Sequence, residues 1–335
     1  MNILVVGGAG YIGSLMVRRL TEAGHSPIVL DDLSTGNIKA VTDGAAFYKG
    51  DLGDETVLDS IFHKETVDIV MHFAAKIQVG ESVQRPDIYY LNNVAKVLGL
   101  LNAMRKNGCD RFIFSSSAAV YGQPEYNPVD EKHPLNPINP YGTTKLMVEI
   151  ILKDYNRAFG LNSIALRYFN AAGAALDGAM GESQKEKQNL IPIVLDNLEK
   201  GKPTTIFGND WDTEDGTCIR DYIHVEDIVS AHLKAAEQIS GAPVRDIINL
   251  GTSRGASVRE IVEMVSKVHG KKAEAVNGPR RAGDPAKLIA SNEKAKKVLG
   301  WQPENSDLET IIKSAYQWHF NRRYLFSESR DGKAG

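Results

Sequence analysis

A glycine loop near residue 1 constrains this chain more than any other feature. Ile3-Leu4-Val5-Val6 reads as a buried strand. It runs directly into Gly7-Gly8-Ala9-Gly10-Tyr11-Ile12-Gly13, then into a stretch with Ile12, Met16, Leu20 and Ala23 on one helical side. Gly8, Gly10 and Gly13 fit G-x-G-x-x-G, and Gly7, Gly10 and Gly13 fit G-x-x-G-x-x-G. One glycine permits the tight turn, one lets the backbone approach a pyrophosphate, and one lets helix and strand pack closely. The helix start adds free N–H groups and the positive end of a dipole. Asp31 ends the second strand, 18 positions after Gly13, near the ~20 expected of a ribose-binding acid. Its carboxylate accepts from both ribose hydroxyls and repels a 2′-phosphate, and Asp32, Leu33, Ser34 and Thr35 bring no arginine. The pattern predicts NAD rather than NADP.

The chain beyond the loop supports one fold class. Apolar runs at Ile28–Leu30, Phe47-Tyr48, Ile69–Met71, Phe112–Phe114 and Ile164–Leu166 read as strands. Helical patterns at 56–63, 88–106 and 142–159 lie between several of them. Continuously apolar strands separated by helices mean that both sheet faces are covered, so the sheet is parallel. The expectation is an α/β protein with a doubly wound, Rossmann-like sheet and a ligand crevice at the strands' C-terminal ends. After Asn170 the alternation breaks. Residues 173–188 read as a loop with a solvated charged stretch at Glu182–Lys187, and helices follow at 189–200 and 225–239. Ile247–Leu250 reads as a strand that rejoins the sheet. Ser257 and Glu260 form a capping-box pair for a helix to His269, and a last helix spans 308–323. The expected division is 1–170 with 221–252 as the NAD-binding domain. Residues 171–220 and 253–325 form a smaller α/β substrate-binding domain, and 326–335 a flexible tail.

Composition excludes several classes. Lys and Arg number 39 against 42 Asp and Glu, a net charge of −3, so no basic stripe for nucleic acid is expected. Cys109 and Cys218 are too few for a disulfide framework and lack metal-ligand spacing, and the eight histidines make no metal motif. No basic leader precedes the first strand, and no apolar run approaches the ~18 residues of a membrane span. The expectation is a cytoplasmic protein with no metal and no membrane or nucleic-acid partner.

Chemistry is carried by Tyr141 and Lys145, four positions apart on one helix and therefore on one face. A free phenol has a pKa of about 10, too high for a base at neutral pH. A neighbouring ammonium and the positive nicotinamide of oxidised NAD favour the phenolate, which makes Tyr141 a general base. Ser115-Ser116-Ser117 ends the fifth strand, where the crevice lies, and Ser117 is placed to hydrogen-bond the reacting hydroxyl.

These residues resemble the extended short-chain dehydrogenases/reductases and, within them, the UDP-glucose 4-epimerase family. The likeness runs to about Trp318. It includes the glycine loop, Gly50-Asp51-Leu52, His72-Phe73-Ala74-Ala75, Asn92-Asn93, Ser115 to Gly122 and Tyr141 to Lys145. The second half adds Leu166 to Asn170, Asn189-Leu190, Phe207 to Asp210, Thr213 to Thr217, Arg220 to Val225 and Pro279-Arg280-Arg281. The resemblance implies proton removal from the sugar 4-hydroxyl by Tyr141 and hydride transfer from C4 to a tightly bound NAD. The 4-keto sugar then turns over and is re-reduced from its other face. It implies a cofactor site of Gly7, Gly10, Tyr11, Ile12, Gly13, Asp31, Asp32, Ser34, Gly36, Asn37, Asp51, Leu52, Phe73, Ala74, Ala75, Asn93, Ser115, Tyr141, Lys145 and Phe169. It implies that Ser117, Tyr141, Asn170, Asn189, Leu190, Phe207, Arg220, Arg281, Asp284 and Leu288 hold the UDP-sugar. Two arginines suit a pyrophosphate because each guanidinium is a rigid charged fork. A homodimer through the helices at 88–106 and 142–159 is implied as well.

There are departures. Val6 replaces a threonine common before the first glycine, and Ile77 stands where relatives carry a lysine, with Lys76 one place earlier. Leu288 falls where relatives vary near the sugar C2 substituent, which leaves UDP-N-acetylglucosamine and UDP-glucuronate as alternative substrates. A 4,6-dehydratase needs an acidic pair where this chain has Ala118-Ala119. A non-catalytic NAD-binding regulator has no use for Tyr141, Lys145 and Ser117 together.

Overall fold

The computed structural model describes residues 1–183, 187–281 and 283–321. The first half alternates strand and helix: β1 (Asn2–Val6), α1 (Tyr11–Glu22), β2 (Ser26–Asp31), β3 (Ala46–Lys49), α2 (Glu55–Lys64) and β4 (Ile69–His72). Next come α3 (Val79–Gln84), α4 (Pro86–Tyr90), α5 (Lys96–Lys106), β5 (Arg111–Ser117), α6 (Pro140–Phe159) and β6 (Asn162–Tyr168). The second half holds β7 (Asn170–Ala172), α7 (Leu190–Glu199), β8 (Thr204–Phe207), β9 (Ile219–Arg220), β10 (Tyr222–His224), α8 (Val225–Gly241) and β11 (Arg245–Leu250). It ends with β12 (Ala256–Ser257), α9 (Val258–His269), β13 (Ala275–Gly278), β14 (Lys287–Leu288), α10 (Glu293–Leu299) and α11 (Leu308–Asn321).

Seven strands form one parallel sheet in the order β3-β2-β1-β4-β5-β6-β11. Alternation along each strand divides its side chains between two cores. Ile3, Val5, Val29 and Met71 pack with Leu15, Met16 and Leu20 of α1 and Ile228 and Ala235 of α8. Leu4, Val6, Val70, Phe112 and Phe114 face the other way, against Leu58 and Ile61 of α2, Val97, Leu100 and Met104 of α5, and Val148 and Leu152 of α6. Covering both faces is why these strands read as unbroken apolar runs. Each fully buried side chain of this kind contributes about 1.5–3 kcal/mol. The strand order reverses between β1 and β4, so the connections leaving them diverge to opposite faces and open a crevice at their C-terminal ends.

The second half builds a smaller layer. α7, α9 and α11 share a core of Ile191, Val194, Ile261, Val265, Ile311 and Ile312. Short strands pair around it: β8 with β13, β9 with β12 and β14, and β7 with β10. Ser257 and Glu260 form the capping box of α9.

Three readings of the sequence change here, and a fourth falls outside the described residues. The helix expected over 88–106 is interrupted. Pro86 starts α4, and a π-helical turn at Leu91–Ala95 separates it from α5. α6 begins at Pro140, before Gly142, because the Asn139 side chain accepts from the Gly142 N–H and proline suits the first helical position. Glu182 is not solvated: it is buried, its carboxylate accepts from Asn189 Nδ2 at 2.9 Å, and its carbonyl accepts from Trp318 Nε1 at 2.9 Å. The end of the last expected helix, 322–323, and the 326–335 tail lie outside the described residues. No helix among the described residues is long and apolar enough to cross a membrane.

Candidate active site

At the crevice the glycines make close approaches that a side chain would block. Gly7 has φ +82°, and a Cβ there would stand 2.6 Å from the Ala74 N. A Cβ on Gly13 would overlap the Gly7 carbonyl group. The Ser14 N–H is bonded to the Gly10 carbonyl at 3.0 Å. The N–H groups of Tyr11, Ile12 and Gly13 therefore have no acceptor inside α1. No acidic residue in the first turn competes for them. The Tyr11 phenol is already used, donating to the Gly173 carbonyl at 2.6 Å. Tyr11 thus offers the crevice its backbone, while its ring ties the loop to the second half of the chain.

Asp31 is buried. One of its oxygens accepts from Ala9 N at 2.9 Å and the other from Leu33 N at 2.8 Å, leaving lone pairs on both. Burial raises its pKa against the pull of these bonds, and Asp32 adds to the rise. Leu33 sits at φ +62°, a left-handed conformation costly for a branched side chain, and the Asp31 carboxylate holds it there. A Cβ on Gly36 would press within 2.8 Å of Asp31 Oδ1. Asn37 caps the turn that follows, accepting from Lys39 N, and its own N–H donates to the Ala9 carbonyl at 2.9 Å. Asp32 accepts from Ser34 N at 2.8 Å. Further along, the Asp51 carboxylate pairs with Lys96 at 2.5 Å and accepts from Gly53 N, beside the buried Leu52.

Phe73 and Ala74 both donate their N–H to the Val6 carbonyl. The chain after β4 is thereby stitched to the glycine loop, with Ala75 following. The Asn93 side chain, buried in the π-helical turn, accepts from Lys76 N and donates to the Lys76 carbonyl, each at 2.9 Å. Ile77 is exposed. These free N–H groups, side-chain-intolerant glycines and acceptor carboxylate fit a dinucleotide of the NAD type.

The catalytic candidates converge where β5 meets α6. Gly142 allows this: a Cβ there would lie 2.5 Å from the Ala119 carbonyl oxygen. Ser117 Oγ accepts from Ala119 N at 3.2 Å, and its hydroxyl sits beside the Tyr141 phenol and favours its ionised form. Lys145 is buried, its Nζ donating to the Ser115 carbonyl at 2.7 Å and lying 5.9 Å from the Tyr141 ring centroid. Burial pulls its pKa down to about 7, while Glu149 opposes the fall. Lys145 by itself does not depress the phenol pKa, which leaves the expected depression to its action together with the positive nicotinamide of NAD. Burial raises the Tyr141 pKa, and only Ser117 works the other way. Neighbouring His72 adds no charge, since burial lowers its pKa to about 3.

On the opposite side of β5, the Ser115 hydroxyl joins a buried chain. His232 donates from Nδ1 to the Ile228 carbonyl, so its Nε2 accepts from Tyr168 OH at 2.6 Å. The phenol oxygen then accepts from Ser115 at 2.9 Å. Phe73 packs its ring on His232 at 4.8 Å.

The residues expected around a UDP-sugar form two groups and one outlier. Arg220 and Leu288 lie opposite one another on β9 and β14, and Arg220 is 3.5 Å from Asp284. Leu288 and Phe169 pack with Ala118 and Tyr121, just beyond Ser117. The Arg281 guanidinium stacks on the Phe207 ring at 3.9 Å. Asn170 donates its N–H to the Asp221 carbonyl. Asn189, the residue before Leu190 at the start of α7, is turned toward Glu182.

Sequence reasoning missed Asp221. Its carboxylate is fully buried and gathers Thr252 N, Thr252 Oγ1, Ser253 N and Ala290 N. It fastens the Arg220 strand to two distant loops, partners too remote in sequence to leave a local signal.

Residues 3–251 match the model of the NAD dependent epimerase/dehydratase family. The chain is 47% identical to a UDP-glucose 4-epimerase of Lactobacillus helveticus over 95% of this chain and 97% of that one. It superposes on UDP-glucose 4-epimerase from Brucella ovis in complex with NAD with a TM-score of 0.92 and 45% identity, covering 94% and 97% of the two chains. For the Bifidobacterium longum enzyme in complex with NAD+ and UDP the TM-score is 0.92 at 36% identity, covering 97% and 100%.

Proposed function

The chain belongs to the NAD dependent epimerase/dehydratase family, and from that premise we propose that it interconverts UDP-galactose and UDP-glucose. The observation that carries the reading is the buried Lys145, bonded to the Ser115 carbonyl 5.9 Å from the Tyr141 ring and with Ser117 beside that phenol, in a chain whose glycine loop fits a dinucleotide. NAD, when bound, supplies the oxidation at sugar C4 and the return of the hydride to the opposite face of the 4-keto sugar. The rest falls to the chain's own groups. Tyr141 Oη takes the proton of the 4-hydroxyl and later gives it back, and Ser117 orients that hydroxyl. Lys145, together with the positive nicotinamide that bound NAD would supply, favours the phenolate of a phenol that burial alone keeps protonated. Ala118 and Ala119 offer no acid for dehydration.

Asp31 accepts from the adenosine ribose, and the N–H groups at the start of α1 meet the pyrophosphate of the dinucleotide. Asp51 and Leu52 flank the adenine, and Phe73 to Ala75, Asn93, Ser115 and Phe169 line the remainder of the cofactor site. Arg220 and Arg281 grip the UDP diphosphate, with Asn170, Asn189, Leu190, Phe207, Asp284 and Leu288 around it. Holding the nucleotide firmly and the sugar loosely leaves the keto sugar free to turn over.

In this reading 1–170 with 221–252 binds NAD, and 171–220 with 253–325 binds substrate. The active species is a homodimer joined through α5, the π-helical turn before it and α6, where Leu91 of the turn and Met147 and Ile150 of α6 are exposed. The two buried free thiols, Cys109 and Cys218, suit a reducing compartment such as the cytoplasm.

The purified protein, given UDP-galactose and no added cofactor, should form UDP-glucose. Absence of conversion in protein that demonstrably contains NAD would overturn the assignment. UDP-N-acetylgalactosamine assayed beside it tests the alternative substrate class.

A further inference from the structure

Three consecutive serines of β5 each meet α6, two of them through hydrogen bonds, and the meeting points recur every four residues along the helix. Ser117 sits beside the Tyr141 phenol and pulls its pKa down. The Ser115 carbonyl accepts from Lys145 at 2.7 Å. The Ser116 hydroxyl donates to Glu149 Oε1 at 2.6 Å. Positions 141, 145 and 149 share one helical face. Only the first two belong to the chemistry proposed above.

The sheet register explains the space. β4 ends at His72, opposite Phe114, whereas β6 continues alongside β5 to Tyr168, opposite Ser117. The serines therefore overhang β4, and α6 lies against the overhang. Ser116 and Arg167 are direct cross-strand neighbours, and both hold the same carboxylate. Arg167 donates from Nε to Glu149 Oε1 at 2.9 Å and from Nη2 to Oε2 at 2.6 Å. Its Nη1 donates to the Tyr121 hydroxyl at 2.8 Å, which donates to Asn249 Oδ1 at 2.7 Å. Ser116, Glu149 and Arg167 are 2%, 5% and 1% exposed.

A buried ion pair is a poor way to gain stability, since apolar residues of equal volume often serve as well or better. What the pair supplies is direction. The bidentate guanidinium and the serine together fix one orientation and one axial position for the carboxylate. That position sets how far α6 is advanced along β5. Slippage of the helix would separate Tyr141 from Ser117 and Lys145 from the Ser115 carbonyl together.

We propose that Glu149 is a positioning residue of the active site: clamped between Ser116 and Arg167, it sets the register of α6 on β5 and thereby the approach of Tyr141 to its substrate. This rests on the reading of Tyr141 as the base. Burial opposes the Arg167 charge, but its bonds to Glu149 keep its pKa above the ordinary value, so the guanidinium stays charged.

The test uses NAD-containing protein and UDP-galactose. Ser116→Ala removes one jaw of the clamp and leaves the ion pair intact, so it is the variant expected to fold. Its kcat per bound NAD should fall about tenfold to a hundredfold, with KM changed by no more than about twofold. The near-ultraviolet absorbance of reduced cofactor should appear more slowly by the same factor. Glu149→Gln should behave likewise or worse where it folds, and if it does not fold, Ser116→Ala decides alone. Undiminished kcat per bound NAD in Ser116→Ala, or a loss that merely tracks lost cofactor and lower thermal stability, overturns the proposal. Tyr141→Phe runs in parallel. If it stays active, the base assignment is what has failed; if it is inactive while Ser116→Ala is fully active, only the positioning role has.

Discussion

Replacing Gly13 by alanine separates the cost of folding from the cost of binding. The added Cβ would overlap the Gly7 carbonyl oxygen, with the Gly7 carbonyl carbon at 2.9 Å and Gly8 Cα at 3.0 Å, where ordinary contact begins at 3.4 Å. All three atoms are backbone, so no side chain can swing away. α1 is held against the adjustment, because Met16, Val17 and Leu20 are fully buried and Arg19 is tied to Glu226 at 2.8 Å. The loop must give. Its Gly7 carbonyl turns out, weakening the bond it accepts from Gly10 N at 3.2 Å. Overpacking costs about 1–3 kcal/mol and one hydrogen bond about 0.5–1.5 kcal/mol, a loss that a domain stable by about 5–15 kcal/mol survives. Binding suffers more. Losing two charge-assisted bonds to a pyrophosphate costs about 3–6 kcal/mol, or about two to four orders of magnitude in Kd. The assay is NAD released from the purified protein, followed by titration and thermal unfolding. Gly99→Ala is the control, with nothing within 4 Å of its added Cβ. Gly13→Ala that copurifies with stoichiometric NAD at unchanged Kd would refute the assignment of this loop as the pyrophosphate cradle.

Three further outcomes follow from the same geometry. Lys145, with a pKa brought from 10.5 down to about 7 by burial, disfavours the cofactor-free fold as its charge is retained. Stability is present at high pH and is lost as pH falls toward 7, by on the order of 5 kcal/mol at most; Lys145→Met should abolish epimerisation yet raise the melting temperature at pH 7, as calorimetry would show. Asp221 is shifted oppositely, from 3.8 to about 6 by burial, so its contribution is full below the ordinary carboxyl range and fades as pH rises through 6. Unfolding by denaturant should find up to about 3 kcal/mol lost over that interval, and Asp221→Asn should flatten the slope. Arg220→Ala should raise KM for UDP-galactose about tenfold to a hundredfold, from one charge-assisted contact of about 1.5–3 kcal/mol, with a smaller change in kcat; an unchanged KM in steady-state kinetics would remove it from the diphosphate site.

What the sequence made legible is what repeats locally. The strands of the main sheet announced themselves because both faces are covered, and Tyr141 and Lys145 because a step of four residues on a helix is a shared face. The same step carried one turn further reaches Glu149, which went unremarked because a glutamate on a helix reads as solvated until its partners are known. Those partners, Ser116 and Arg167, lie 33 and 18 residues away. Glu182 was misread for the same reason, its covering Trp318 being 136 positions distant. The small sheets β7–β10 and β8–β13 join segments of three and four residues across long intervals, too short for any period to show. The Tyr141 pKa failed differently. Counting Lys145 and the nicotinamide as nearby charges gave one sign, but removal from water, which raises the pKa in the chain by itself, gives the other, and burial cannot be read from a spacing of four. In this chain the residues that do chemistry are local and visible, while those that aim them are distant and silent. The direction of the buried chain Ser115–Tyr168–His232, fixed by a single carbonyl at Ile228, is the case in point. It settles which way the Ser115 proton faces, and so leaves that hydroxyl only its lone pairs to offer the crevice.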